Sequence, residues 1–151
     1  MDKDFFVQEI DRNGEKLFRI AYALLANRED CRDALQETAL KAWEKRHTLR
    51  TEAYFATWIT RICINACRDI QRKRRRTVSL EDAPEPGFDP PDRTLFLALQ
   101  SLPEKLRLPL LLQYSEGMSY ADIARALRTT ESSVRGRIHR AKEQLRKELE
   151  V

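Results

Sequence analysis

Glycine is scarce in this sequence, 4 in 151 residues, and the apolar residues recur at helical rather than alternating spacing. That argues against a fold of half-buried strands and hairpins. Cysteine is sparse too, and Cys31, Cys63 and Cys67 make no even disulfide framework. No stretch approaches the ~20 apolar residues of a membrane span, so no membrane insertion is expected. The opening residues, MDKDFFVQEID, are acidic and lack the apolar core of a secretory signal, and we expect a reducing, cytoplasmic setting. The 2 histidines, His47 and His139, lie far apart in sequence. No nucleophile–base arrangement, phosphate loop or paired catalytic carboxylates present themselves, and we expect no enzyme, no catalytic residue and no cofactor. Cys63 and Cys67 stand one helical turn apart, which suits a metal geometrically. Without a third or fourth ligand nearby, core packing is the better reading and no metal is expected.

What the chain does have is apolar residues, 42%, and charge, 34%, spread unevenly. The net charge of +4 says little by itself. The segment 68–76 reads RDIQRKRRR, with Asp69 its only acid. A second basic block spans 128–147 against only Glu131 and Glu143. Between them lie Glu81, Asp82, Glu85, Asp89 and Asp92. Two basic blocks flanking an acidic stretch fit two surfaces for a polyanion; the plainer alternative is solvated helix faces.

Helical periodicity runs through both ends of the chain, and the expected fold class is all-α. DFFVQEI reads as a short first helix. Leu17, Ile20, Ala21, Leu24 and Leu25 then form one apolar stripe of a second helix ending near 26–27. A third covers 28–46, with Cys31, Leu35, Ala39, Ala42 and Trp43 inward and Asp30, Asp33, Glu37, Lys41 and Glu44 toward water. In a fourth, Phe55, Trp58, Ile59, Ile62, Cys63, Ala66 and Ile70 share one face. Thr57, Arg61, Asn65, Arg68 and Arg72 recur on another, a polar and basic stripe with donors for phosphates and base edges. Periodicity stops at TVSLEDAPEPGFDPPD, whose prolines remove helix donors. Residues 77–92 therefore read as an acidic, proline-rich linker between a domain at 1–76 and another at 93–151. Helices resume at Arg93, and Leu95, Leu99 and Leu102 lead to Pro103. A leucine-rich helix from about 103 to 115 follows, with Pro109 as a bend and Gly117 as its left-handed cap.

The tail SYADIARALRTTESSVRGRIHRAKEQLRKEL reads as a helix-turn-helix. Ser119 is placed to cap the first helix, with Asp122 reaching back as in a capping box. Ile123, Ala124 and Leu127 supply its inner face, and small Ala124 lets the next helix cross closely. Thr130 is an eligible cap for the second helix, which buries Val134, Ile138, Ala141 and Leu145. Ser132, Ser133, Arg135, Gly136, His139 and Arg140 remain outside. Small and polar residues there permit close approach to base edges, and arginines supply bidentate contacts. The alternative is an ordinary αα-hairpin with a solvated basic face.

These segments carry a family resemblance. LPEKLRLPLLLQYSEGMSYADIARALRTTESSVRGRIHRAKEQLRKEL resembles region 4 of the extracytoplasmic-function sigma factors of bacterial RNA polymerase. LFRIAYALLANREDCRDALQETALKAW, followed by FATWITRICINACRD, is similar to their region 2. Both halves, their order and the short linker match over nearly the whole chain. The resemblance implies two small helical domains, a region 2 bundle and a region 4 helix-turn-helix. It also implies a factor that binds core polymerase and directs initiation through the −10 and −35 promoter elements.

Residue by residue, it implies that Asp33, Leu35, Gln36, Glu37, Lys41 and Trp43 lie on the helix that docks on the β′ clamp helices, although Trp43 itself reads as core. Leu49 takes the position of the loop residue that guards a pocket for a flipped −10 base, and Asn65 one near that base. Arg61, Arg68, Arg72 and Lys73 would hold phosphates; Arg74 to Arg76 fit that role or a nonspecific basic tail. Few aromatics stand between His47 and Trp58, which implies limited melting capacity. Over the −35 element the match covers Ser132, Ser133, Arg135, Gly136, Arg137, His139, Arg140 and Lys142. Arg135 and His139 are expected nearest bases, with Arg137, Arg140 and Lys142 on phosphates. The β flap and an anti-sigma protein are further implied partners, and the acidic linker resembles the connector that passes through the polymerase cleft. The competing function is a dimeric helix-turn-helix regulator of duplex DNA, which would leave REDCRDALQETALKAW and the Asn65 stripe without a role.

Overall fold

The computed structural model describes the backbone of residues 1–76 and 93–149, and their side chains except at 76 and 93–96. The linker expected at 77–92 and the contact expected of Leu95 fall outside the described residues. All regular structure within them is helical. The chain divides into two compact units, Met1–Glu85 and Pro86–Val151.

In the first unit α1 (Lys3–Leu25), α2 (Arg28–Glu44) and α3 (Phe55–Arg76) pack together, with single 3-10 turns at Arg46–Thr48 and Glu52–Tyr54. The first element corrects the sequence reading, because DFFVQEI and the Leu17 stripe form one continuous helix. Asp2 caps it by accepting a hydrogen bond from the Phe5 amide at 2.9 Å. Its first turns are held by an aromatic cluster: Phe6 meets Trp43 at 5.1 Å between ring centroids, and Phe5 meets Phe55 at 6.0 Å. Those contacts outweigh the roughly 1 kcal/mol that a mid-helix glycine such as Gly14 costs. Ala26, at φ +50, ends the helix, and Asn27 opens α2 by accepting from the Asp30 amide at 2.9 Å.

The core of this unit is built from Ile20, Ala34, Phe55, Ile59, Cys63 and Ile64, each at most 1% exposed. α2 buries Cys31, Ala34, Thr38 and Ala42, whereas Leu35, Ala39 and Trp43 are only half-buried. Small residues at those four positions let α1 and α3 approach closely. The buried hydroxyls of Thr38 and Thr60 are satisfied within their own helices, donating to Ala34 O at 2.6 Å and Ala56 O at 2.7 Å. Cys31, Cys63 and Cys67 all lie sealed in this core, and burial pushes the Cys31 thiol up to about 12. None is presented to solvent.

The second unit comprises α4 (Arg93–Ser101), α5 (Glu104–Tyr114), α6 (Tyr120–Leu127) and α7 (Glu131–Leu149). Pro103 precedes α5, and α5 runs through Pro109, which offers no amide for an intrahelical bond. Leu108, Leu112, Ile123, Val134 and Ile138 form its core. Gly117 stands at φ +63 after α5, as its place in the sequence required. Arg107 is turned inward, its guanidinium reaching Gln100 O and Leu102 O at 3.4 Å across the α4–α5 corner.

Candidate nucleic-acid interface

α6 and α7 form the helix-turn-helix. Ser119 Oγ accepts from the Asp122 amide at 3.1 Å. The Asp122 carboxylate pairs with Arg125 at 3.7 Å, so the reciprocal half of the expected capping box is replaced by an ion pair. Thr130 Oγ1 accepts from the Ser133 amide at 3.1 Å and starts α7. The turn between them is closed by Arg128 in the left-handed conformation, φ +54. Thr129 donates to Ala124 O at 2.9 Å and Arg128 to Arg125 O at 3.4 Å, the two bonds of a Schellman cap.

Because α7 buries Val134, Ile138 and Ala141, its opposite face carries Ser132, Arg135, Gly136, His139 and Arg140. Ser132, Arg135, His139 and Arg140 are exposed. A Cβ at Gly136 would meet only the end of the Arg140 side chain, at 3.5 Å. Nothing inside the unit demands glycine there, and its absent side chain clears the outer face. Ser133, Arg137 and Lys142 are half-buried on the flanks of α7. Lys142 stands 5.2 Å over the Tyr114 ring. On that flank an apolar groove of about 370 Å³ is lined by Leu99, Leu110, Leu111, Leu145 and Leu149.

The first unit carries the second basic surface. Asn65, Arg68, Arg72 and Lys73 are exposed along α3, and Arg61 is half-buried. Asp69 lies among them, pairing with Arg72 and, at 3.0 Å, with Lys41 of α2. Lys41 also stands 3.7 Å from Glu37, so it is not the freely solvated lysine expected from the pattern. Asp33, Gln36 and Glu37 are exposed on α2, as is the apolar side chain of Leu40, at 58%. Sequence reasoning missed Leu40; an apolar residue on a face otherwise polar was the available signal. A cleft of about 650 Å³ between α2 and α3 is lined by Asp33, Glu37, Lys41, Asp69 and Lys73.

Arg74 fits neither reading given to the basic run. It pairs with Asp30 at 2.8 Å and donates to Leu25 O at 3.1 Å, satisfying the C-terminal end of α1. It is a structural residue, whereas Arg68, Arg72, Lys73 and Arg75 of the same run are exposed.

Leu49 is half-buried in the short stretch between the two 3-10 turns, its amide donating to Arg46 O at 3.2 Å. The neighbouring Thr48 hydroxyl accepts from the Trp58 indole Nε1 at 3.0 Å. Trp58, expected wholly on the buried stripe, is half-buried and tethers the Leu49 segment to α3. Leu49 and Asn65 lie in one unit, and the Leu49 segment is held to α3 through Thr48 and Trp58. Among the described residues no group of three or more His, Cys, Asp or Glu side chains is placed to hold a metal. Nor is any helix among them long and apolar enough to cross a membrane.

A basic, N-capped outer helix in one unit and a basic polar stripe in the other define a class of two-part helical DNA-binding proteins. Residues 10–77 match the family model for sigma-70 region 2, and residues 93–145 that for sigma-70 region 4. The chain is 31% identical to the RNA polymerase sigma-H factor of Pseudomonas aeruginosa, covering 99% of this chain and 88% of that protein. It is also 31% identical to the extracytoplasmic-function sigma factor SigE of Mycolicibacterium smegmatis, over 91% of this chain but only 58% of that longer protein. The sigma factor RpoE of Bartonella quintana, solved in complex with the anti-sigma factor NepR, superposes with a TM-score of 0.82. That match has 26% identity and covers 99% of both chains. The chain therefore belongs to the extracytoplasmic-function sigma factors of RNA polymerase, which direct promoter-dependent transcription. The dimeric-regulator alternative is not favoured.

Proposed function

We propose that this sigma factor divides its work by unit. Residues 1–76 bind core polymerase and the −10 element, 77–92 connect, and 93–151 read the −35 element. On α2, Asp33, Gln36, Glu37 and Lys41 around half-buried Leu35 form a mixed polar and apolar surface suited to the β′ clamp helices. The apolar groove beside α7 is assigned to the β flap. Leu49 and Asn65 form the −10 base pocket, while Arg61, Arg68, Arg72 and Lys73 track phosphates. On α7, Arg135 and His139 read bases across the gap left by Gly136. Ser132 and Ser133 approach the same groove, and Arg137, Arg140 and Lys142 engage phosphates. An anti-sigma protein is a further proposed partner, since the Bartonella relative is found with one. The setting is cytoplasmic, and the work is binding rather than catalysis.

The observation that carries this reading is the exposed Asn65 on a helix whose opposite face buries Phe55, Ile59, Ile62, Cys63 and Ala66. A lone amide among basic residues suits an extruded base edge better than a phosphate track. With core enzyme on a promoter library, the wild type should initiate from a restricted set of −10 and −35 sequences. Asn65→Ala should lose permanganate-reactive melted thymines while keeping core binding and −35 affinity. Normal melting and transcription by Asn65→Ala would reduce the stripe to a phosphate track.

A further inference from the structure

Arg135 does not extend freely from α7. Its guanidinium stands over the ring of Tyr120 in α6, 5.5 Å from the centroid. The Tyr120 hydroxyl in turn accepts a hydrogen bond from Nε2 of Gln113 in α5, at 3.2 Å. Tyr120 and Gln113 are both half-buried. The ring is thus fixed at two ends, by its backbone directly after the Ser119 cap and by its hydroxyl against α5.

We propose that Tyr120 is a positioning residue that holds Arg135 ready for base readout and so sets how sharply one −35 base pair is discriminated. This rests on the assignment of Arg135 to a base edge. An unrestrained arginine has several rotatable bonds whose ordering opposes a bidentate contact. A guanidinium resting on an aromatic face loses that freedom before DNA arrives. Its N–H donors project from its edge, in the plane needed to reach guanine O6 and N7 together. The contact joins α5, α6 and α7, so the angle of α6 against α5 is transmitted to the reading side chain. Lys142 makes a comparable contact with Tyr114, but from the flank of α7.

The test uses the full chain with core polymerase and promoters carrying every base pair at each −35 position, measured by equilibrium competition at several salt concentrations. Tyr120→Leu and Tyr120→Phe are compared in the wild-type and Arg135→Ala backgrounds, with helicity and melting temperature recorded for each. Tyr120→Leu should lower discrimination at the position read by Arg135 by about two- to fivefold, the size of an exposed cation–π contact. Other positions and the salt dependence should stay unchanged. Tyr120→Phe, which keeps the ring but gives up its hydrogen bond to Gln113, should fall between the wild type and Tyr120→Leu. In the Arg135→Ala background Tyr120→Leu should have no further effect. A loss spread evenly over all promoters, or one that persists without Arg135, would overturn the proposal. If Arg135→Ala itself leaves every position unchanged, the readout assignment fails and takes the inference with it. Should Tyr120→Leu not fold, Gln113→Leu, which releases the ring without removing it, must blur the same position; unchanged discrimination there ends the proposal.

Discussion

Arg128 holds a conformation that disfavours every residue with a Cβ. At φ +54 it occupies the place where helix caps usually carry glycine, and the left-handed region costs an L-residue about 1–2 kcal/mol. Arg128→Gly should therefore stabilise the second unit by about 1 kcal/mol after glycine's own entropy is subtracted, a rise of several degrees in melting temperature. A lowered melting temperature on a calorimetric scan would mean that the arginine side chain compensates its backbone. The turn carries no glycine, and no local rule marks an arginine as a left-handed cap. Ser119, Thr130 and Gly117 were legible for the opposite reason: each acts on groups within a few residues. Arg74 was not legible. Its partners Leu25 and Asp30 lie more than forty positions away, and only the packing of α1 and α2 on α3 brings them together.

At the scale of elements, periodicity located every described helix, and tertiary contacts decided where one ended. The break expected between DFFVQEI and the Leu17 stripe is absent because Phe5 and Phe6 reach Phe55 and Trp43, contacts that a one-dimensional pattern does not contain. The α3 stripe was legible at Asn65, Arg68 and Arg72, since one apolar face implies its opposite, whereas Thr57 and Arg61 at its start are half-buried. α2 was less so, because its buried face uses Ala34 and Thr38, small residues that hydrophobicity alone does not single out. Its outward face is where polymerase association is assigned, and Asp33 and Glu37 are exposed there. Reversing both to lysine should weaken core binding by about tenfold or more if they meet basic residues of the clamp. Glu37 loses only a 3.7 Å contact to Lys41, and Lys41 retains Asp69 at 3.0 Å, so helicity should not change. Equal affinities for wild type and double variant in a binding titration would remove α2 from the polymerase interface.

Across the whole molecule, each unit has its own core and its own basic surface, and this predicts how variants combine. Effects at sites that share no partner or packing add to within about 0.5 kcal/mol, whereas residues in contact do not. Asn65 belongs to the unit built from α1 to α3, and Arg135 to the one built from α4 to α7. In affinity for a promoter with a pre-melted −10 element, Asn65→Ala and Arg135→Ala should lose binding additively. Each loss should appear at its own element: Asn65→Ala on varying the melted bases, Arg135→Ala on varying the −35 duplex. Tyr120→Leu with Arg135→Ala, both within the second unit and in direct contact, should instead fall well short of the sum. The full cycle is read from competition binding of the reconstituted holoenzyme. A coupling between Asn65 and Arg135 well above about 0.5 kcal/mol would mean that recognition at one element alters the other. Promoter choice would then be a property of the assembled molecule, not the product of two separate readings.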